Sequence, residues 1–200
     1  MRTILGLAAA LCLAWVNIAR PVAAETHASL AGQLLVASPS MGDPRFDHAV
    51  VLMVRHGEDG ALGIVVNKLI GERPLATLLE IFGEKGSTVA GQVRIFAGGP
   101  VQPELGFVVH TADYHLARTL DIGGRLAMTS NREILRDIAA GQGPKKSLIA
   151  FGYAGWAPGQ LEGELDKRAW SIAPADEMLI FDEDREKVWE SAYSRRIQDL

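Results

Sequence analysis

An α+β fold follows from three features of this 200-residue chain. Short β-rich apolar runs recur along it, segments at helical spacing fall irregularly between them, and at least one pair of runs is joined by a tight-turn signal. Strands joined by hairpins as well as by crossovers favour α+β over a strictly alternating parallel sheet. Gln33 to Ala37 and Ala49 to Arg55 read as strands, and Gly57-Glu58-Asp59-Gly60 turns the second into Leu62 to Asn67 as a hairpin. Pro74 suits a first helical turn. Leu75, Leu78, Leu79 and Phe82 follow at helical spacing, and Gly83 suits the stop.

Val93 to Ala97 and Phe107 to His110 resume strand character, with Leu126 to Thr129 a shorter strand. Ser130 and Glu133 form a capping box ahead of Ile134, Leu135 and Ile138, and Gly141, Gly143 and Pro144 end that helix. Leu148 to Phe151 is a short buried strand by composition, and Gln160 to Arg168 is a helix with Leu161 and Leu165 on one face. Met178 to Phe181 reads as the last strand. Arg185 to Ile197 reads as a terminal helix with Val188, Trp189 and Ala192 inward.

The amino terminus has a different character. Met1-Arg2, an apolar run from Ile4 to Val16 and the small residues of Val22-Ala23-Ala24 predict a secretory signal peptide over 1–24, leaving a single domain over 25–200 that starts at Glu25. The run is shorter than the roughly 20 residues a spanning helix needs, so no stable membrane insertion is expected after cleavage. A periplasmic or secreted protein is therefore expected. A start codon nearer Val22 or Leu30 would instead leave the protein cytoplasmic. Cys12 is the only cysteine and would leave with the leader, so thiol nucleophiles and zinc–thiolate sites are excluded from the mature chain. The net charge of −4 becomes more negative once Arg2 and Arg20 are removed. Such a balance argues against direct nucleic-acid binding, which needs clustered positive charge.

Two segments concentrate unusual chemistry. In Ser38 to Phe46, Asp43-Pro44 is a turn former and Arg45 can clamp a carboxylate or phosphate with its planar fork, so Ser40, Asp43 and Arg45 are candidates for an anion or peptide-carboxylate pocket. The same Asp43 and Arg45 could simply hold the loop against the sheet. In Gly152-Tyr153-Ala154-Gly155-Trp156, two glycines and two aromatics fall at an expected strand-to-helix turn, where backbone amides could meet an anion beside Tyr153 and Trp156. Close strand–helix packing is the plainer role for those residues. Gly98-Gly99-Pro100 reads as a turn first, with Gly98 and Gly99 secondary pocket candidates. Phosphate-loop lysine and Ser/Thr positions are missing, so nucleotide hydrolysis is rejected. His110 and His115 flank Asp113 without the spacing of a helix-borne metal site, and neither a metal nor a cofactor is expected. Glu162 and Glu164 point to different sides of a helix and make no acid/base pair.

Gly32-Gln33-Leu34-Leu35-Val36-Ala37, the Ser-Met-x-Asp-Pro-Arg-Phe loop, His56 to Asn67, Gly98-Gly99-Pro100-Val101, Gly106-Phe107-Val108-Val109-His110 and the Gly-Tyr-Ala-Gly-Trp-x-x-Gly-Gln-Leu run occur in one order. That succession resembles the YqgE/AlgH family, bacterial proteins without an established molecular activity. The resemblance covers nearly everything after residue 31, and Lys68 departs from an Asn-Arg-Pro type ending. It implies a mixed, strongly bent sheet approaching a barrel, with helices packed outside. Some members carry a transcriptional-regulator label, yet no basic helix or helix-turn-helix pattern supports DNA contact here. The expected function is a non-enzymatic module that binds or regulates through a small anion, peptide or protein partner. The alternatives are a hydrolase-like enzyme using the Ser40/Asp43/Arg45 loop, and an oligomeric interaction protein.

Overall fold

The computed structural model describes residues 28–81, 89–182 and 184–197. The expected leader over 1–24 and the expected helix end at Phe82 and Gly83 lie outside them. The strands are β1 (Gln33–Ala37), β2 (Val50–Gly57), β3 (Gly60–Val65), β4 (Leu69–Pro74), β5 (Gln92–Ala97), β6 (Val101–Thr111), β7 (Leu120–Ile122), β8 (Leu126–Thr129), β9 (Ser147–Trp156) and β10 (Trp170–Pro174). The helices are α1 (Leu75–Ile81), α2 (Glu133–Ala139), α3 (Gln160–Asp166) and α4 (Val188–Ser194).

One sheet runs β10-β1-β2-β3-β9-β6-β8-β7, and β4 and β5 join it through β9. Its pairs are antiparallel except β5 with β9. The sheet curls into a half-barrel, so the architecture is α+β with a strongly bent, mixed sheet. Gly57 faces Gly60 across a two-residue Glu58-Asp59 turn, the hairpin the sequence announces. β9 is the joint of the whole sheet. One edge carries β6 from Ser147 to Tyr153, while the other carries β5 beside Ile149 to Phe151 and β3 beside Ala154 to Trp156.

Leu34 to Ala37 of β1 are buried whichever way they point, which places core on both faces of the sheet. Leu34, Val36, Val50 and Leu52 pack with Leu179, Ile180, Val188 and Ala192 on one face. Leu35, Ala37, Val51 and Met53 pack with Trp156, Leu161 and Trp170 on the other. Because successive strand side chains alternate sides, this two-faced burial reads in sequence as continuous apolar runs. Each fully buried leucine or valine contributes about 1.5 to 3 kcal/mol of transfer free energy. A third cluster seats α1 and α2 on β9 through Leu78, Leu79, Ile134, Leu135 and Ile149.

Four expectations are corrected. Gly152 to Trp156 is not a strand-to-helix turn but the second half of β9, and the turn proper is Ala157-Pro158-Gly159. Met178 to Phe181 is not a strand. It forms one π-helical turn over Met178–Asp182, started by Asp176 accepting the Met178 amide, and its apolar run Leu179-Ile180-Phe181 is buried without any ladder. The final strand is instead β10, whose Trp170 to Pro174 pairs with β1. Asn131 rather than Ser130 bonds the start of α2, accepting from the Glu133 amide at 3.0 Å and donating to the Glu133 carboxylate at 3.1 Å. The terminal helix is also shorter than expected, covering Val188–Ser194.

Candidate functional site

The loop between β1 and β2 is fixed by its own polar residues. Asp43 Oδ1 accepts the Arg45 amide at 3.0 Å and opens a 3-10 turn over Pro44–Phe46. Pro44 supplies the fixed φ that such a first turn favours. The Arg45 fork closes on the same carboxylate, Nε reaching Oδ1 and Oδ2 at 3.0 and 3.1 Å and Nη2 reaching Oδ2 at 2.6 Å. That hydrogen bonding holds the Asp43 carboxyl below its usual range. The pair stands in solvent, with the Arg45 side chain 64% exposed. Ser40 Oγ meets Ser38 Oγ at 3.3 Å.

Beyond Phe46 the chain is pinned a second time. Asn67, which follows β3, accepts the Val50 amide at 2.9 Å and donates to His48 O at 2.8 Å, while Lys68 Nζ donates to Asp47 O. The departure at Lys68 therefore has a local use: it ties the end of β3 to the loop. Phe46 stacks on Trp156 at 6.5 Å between ring centroids and meets Trp170 edge-on at 5.4 Å. Both indole N–H groups donate to one oxygen of Glu164, at 2.9 Å from Trp156 and 2.8 Å from Trp170. Gln160 Nε2 donates to the other oxygen at 2.9 Å. A buried indole N–H needs such an acceptor, and Glu164 serves two at once.

The structure thus gathers Asp43, Arg45 and Trp156 around Phe46. Trp156 is only 7% exposed and belongs to the core beneath the loop, so its ring offers support rather than an open stacking wall. Gly98, Gly99 and Tyr153 lie elsewhere, where the end of β5 crosses β9. The Gly98 amide donates to Phe151 O at 2.7 Å and its carbonyl accepts from Val65 at 2.8 Å. A Cβ on Gly99 would stand 2.1 Å from the Tyr153 carbonyl carbon. Tyr153 packs edge-on against Phe107 in the core of the opposite sheet face.

A profile of the AlgH-like family, DUF179, matches residues 34–200. The chain belongs to the AlgH-like family. A UPF0301 protein of Methylococcus capsulatus is 45% identical over 172 residues, covering 86% of this chain and 94% of the relative. Another from a Jannaschia species is 44% identical, covering 84% and 88%. Among solved structures, that of the AlgH protein from Pseudomonas aeruginosa superposes with a TM-score of 0.72 at 42% identity, covering 82% of this chain and 87% of that one. A Corynebacterium diphtheriae protein at 22% identity shares the fold, with a TM-score of 0.66 over 84% and 87% of the two chains.

In this AlgH-like chain a second feature escapes motif reading. A groove of about 1050 Å³ opens beside α3, β10 and the end of α4, lined by Leu30, Leu165 and Ile172 among its apolar residues and by Arg168 and Arg196 among its charged ones. At its wall His56 is held at both ring nitrogens: Nδ1 accepts the Leu30 amide at 3.1 Å, so the proton sits on Nε2 and points at Glu162 Oε1, 2.8 Å away. A place at the end of the β2–β3 hairpin, beside Glu58 and Asp59, would by itself put His56 in solvent. Its side chain is in fact 4% exposed, because residues 28–31 fold over it. Only the separation of 106 positions between His56 and Glu162 hides the pair. His110 is also buried, with Nδ1 on Thr111 O at 2.8 Å and Nε2 on Thr129 Oγ1 at 2.9 Å. Among the described residues no three His, Asp or Glu side chains converge on a common point.

Proposed function

We propose that this AlgH-like chain is a non-enzymatic binding or regulatory module that captures a small anion, peptide or protein partner through the Asp43–Arg45 loop. One observation carries the reading: an exposed, pre-formed guanidinium–carboxylate fork sits on a loop anchored from below by Phe46, Trp156 and Trp170. Pre-organisation of this kind lowers the ordering cost of binding. The fork spends Nε and Nη2 on Asp43 and leaves Nη1 on the other edge for a partner's oxygen. Asp43 then works as the positioning residue. A hydrolase reading asks for a base beside Ser40, whereas the partner of Ser40 Oγ is Ser38, and His110 spends both ring nitrogens on buried threonines. The module would act in the cell envelope if the leader over 1–24 is removed.

Arg45→Ala tests this directly. Pull-down from envelope and cytosolic fractions with wild type and variant should show a partner retained by the first and lost by the second, at nearly unchanged thermal midpoint. An exposed ion pair contributes little to stability. A collapse of the midpoint instead would assign Arg45 to scaffolding and remove it from recognition.

A further inference from the structure

Residues 28–30 belong to no strand, yet they lie against the sheet. The chain reverses at Leu30-Ala31-Gly32-Gln33, a turn closed by the Gln33 amide donating to Leu30 O at 2.9 Å, with Gly32 at φ 80. Glycine enters that left-handed region freely, so the turn sends the segment back across the end of β2. Among the described residues, the hydrogen bonds that tie Ser29 and Leu30 to the sheet both end on His56. Ser29 Oγ donates to its carbonyl at 3.0 Å, and the Leu30 amide donates to its Nδ1 at 3.1 Å. Leu30 packs against the cluster of Trp156, Leu161 and Trp170, and with Ala28 it forms part of the groove wall beside His56 and Glu162.

The Leu30 contact dictates how many protons the ring carries. A backbone N–H can only donate, so Nδ1 is bare and the single ring proton is on Nε2, towards Glu162 Oε1 at 2.8 Å. A second proton, on Nδ1, would set two donors against each other at 3.1 Å and cancel the Leu30 bond. Glu162 acts the other way, because its carboxylate is a ready counter-charge for a doubly protonated ring. The remaining charges stand further off. Residues 28–31 carry none, uncharged Ala61 lies opposite His56 on β3, and Arg55, Glu58 and Asp59 are exposed. Asp166, Arg168 and Arg196 line the same groove. The two partners of the ring thus ask for different proton counts: Leu30 requires one, and Glu162 favours two. A contact that excludes a proton loses ground as pH falls.

We propose that His56 is a proton-operated latch on residues 28–31, closed while Nδ1 accepts the Leu30 amide and opened when Nδ1 takes a second proton. Opening lets Ala28 and Leu30 leave the groove wall and leaves the charged ring paired with Glu162. The latch is separate from Asp43 and Arg45, so it does not rest on their role in recognition. The full chain is titrated from about pH 8 to about pH 5, the span in which imidazole ordinarily changes charge. Nuclear magnetic resonance follows the His56 ring nitrogens, and hydrogen exchange follows the Leu30 amide. Exchange at Leu30 should speed about tenfold or more as Nδ1 is protonated, while the Val51 and Leu52 amides of β2 stay protected, which separates local release from unfolding. His56→Asn keeps a carbonyl oxygen near the place of Nδ1 and cannot titrate, so its Leu30 amide should stay protected throughout. Glu162→Gln removes the counter-charge and should shift the release to lower pH. Four results would each overturn the proposal: a ring still singly protonated at the acid end, a Leu30 amide unchanged once Nδ1 is protonated, the same acid release in His56→Asn, or loss of Leu30 and the β2 amides together.

Discussion

His110 is a titratable ring in a place with no water to help it titrate. It is fully buried, donates from Nδ1 to Thr111 O and must therefore accept at Nε2 from the Thr129 hydroxyl. Thr129 Oγ1 in turn lies 2.7 Å from Thr119 Oγ1, which also accepts the Leu116 amide. The chain of hydroxyls runs in one direction and terminates on the neutral imidazole. A proton on Nε2 would leave the Thr129 hydroxyl without its acceptor. Burial is the largest cause pushing the His110 pKa below 6.5, with His115 acting the same way and Asp113 opposing. Above pH 6.5 the ring is neutral whether the chain is folded or not. Below it the unfolded chain takes up a proton that the folded one refuses, so stability falls as pH falls through that range. The thermal midpoint should thus decline from pH 6.5 toward 5, and the decline should be shallower in His110→Gln, measured by calorimetry on both proteins in one buffer series. Equal slopes would show that His110 is not the group responsible.

At the scale of elements, β9 explains both what the sequence reveals and what it conceals. Gly152 stands at φ 73 with an added Cβ only 2.3 Å from Gly99 O, so glycine is required twice over, by conformation and by space. Gly152→Ala should destabilise by about 2 to 5 kcal/mol, the sum of left-handed strain and overpacking, as read from a denaturant midpoint. A change below about 0.5 kcal/mol would mean that the crossing relaxes freely. Glycines and aromatics in that run suggest a turn because local chemistry cannot see β3 and β6, the two strands that flank it. The β2–β3 hairpin was legible, since its turn residues and both flanking strands are adjacent in the chain. β4 was not: five of its six residues are exposed and lack the alternation that marks a half-buried strand. β10 hides for a different reason, its partner β1 being far away in sequence. Of the site, Asp43-Pro44-Arg45 announces its turn through residue type alone. The seat beneath it, Glu164 shared by Trp156 and Trp170, depends on a distant strand and a helix meeting, and no spacing rule encodes that.

For the whole molecule, compartment decides which partners are reachable. Intact mass of the protein purified from its native host should give a mature species starting at Glu25, recovered with the periplasm. A species retaining residues before Glu25, or one starting near Val22 or Leu30 in the cytosol, would return the search to intracellular partners. The arrangement of strands bears on the same question through the timing of synthesis. β3, β5 and β6 are all made before β9, yet each waits for β9 as a neighbour, and β1 waits for β10. Long-range pairings of this kind are slow to form because the intervening chain must be ordered first. A ribosome that has released the first 140 residues has therefore produced strands without the strip that unites them. Until the last quarter of the message is read, β1, β3, β5 and β6 each lack a neighbour, and a translocation channel that admits only extended chain would meet a sheet not yet joined.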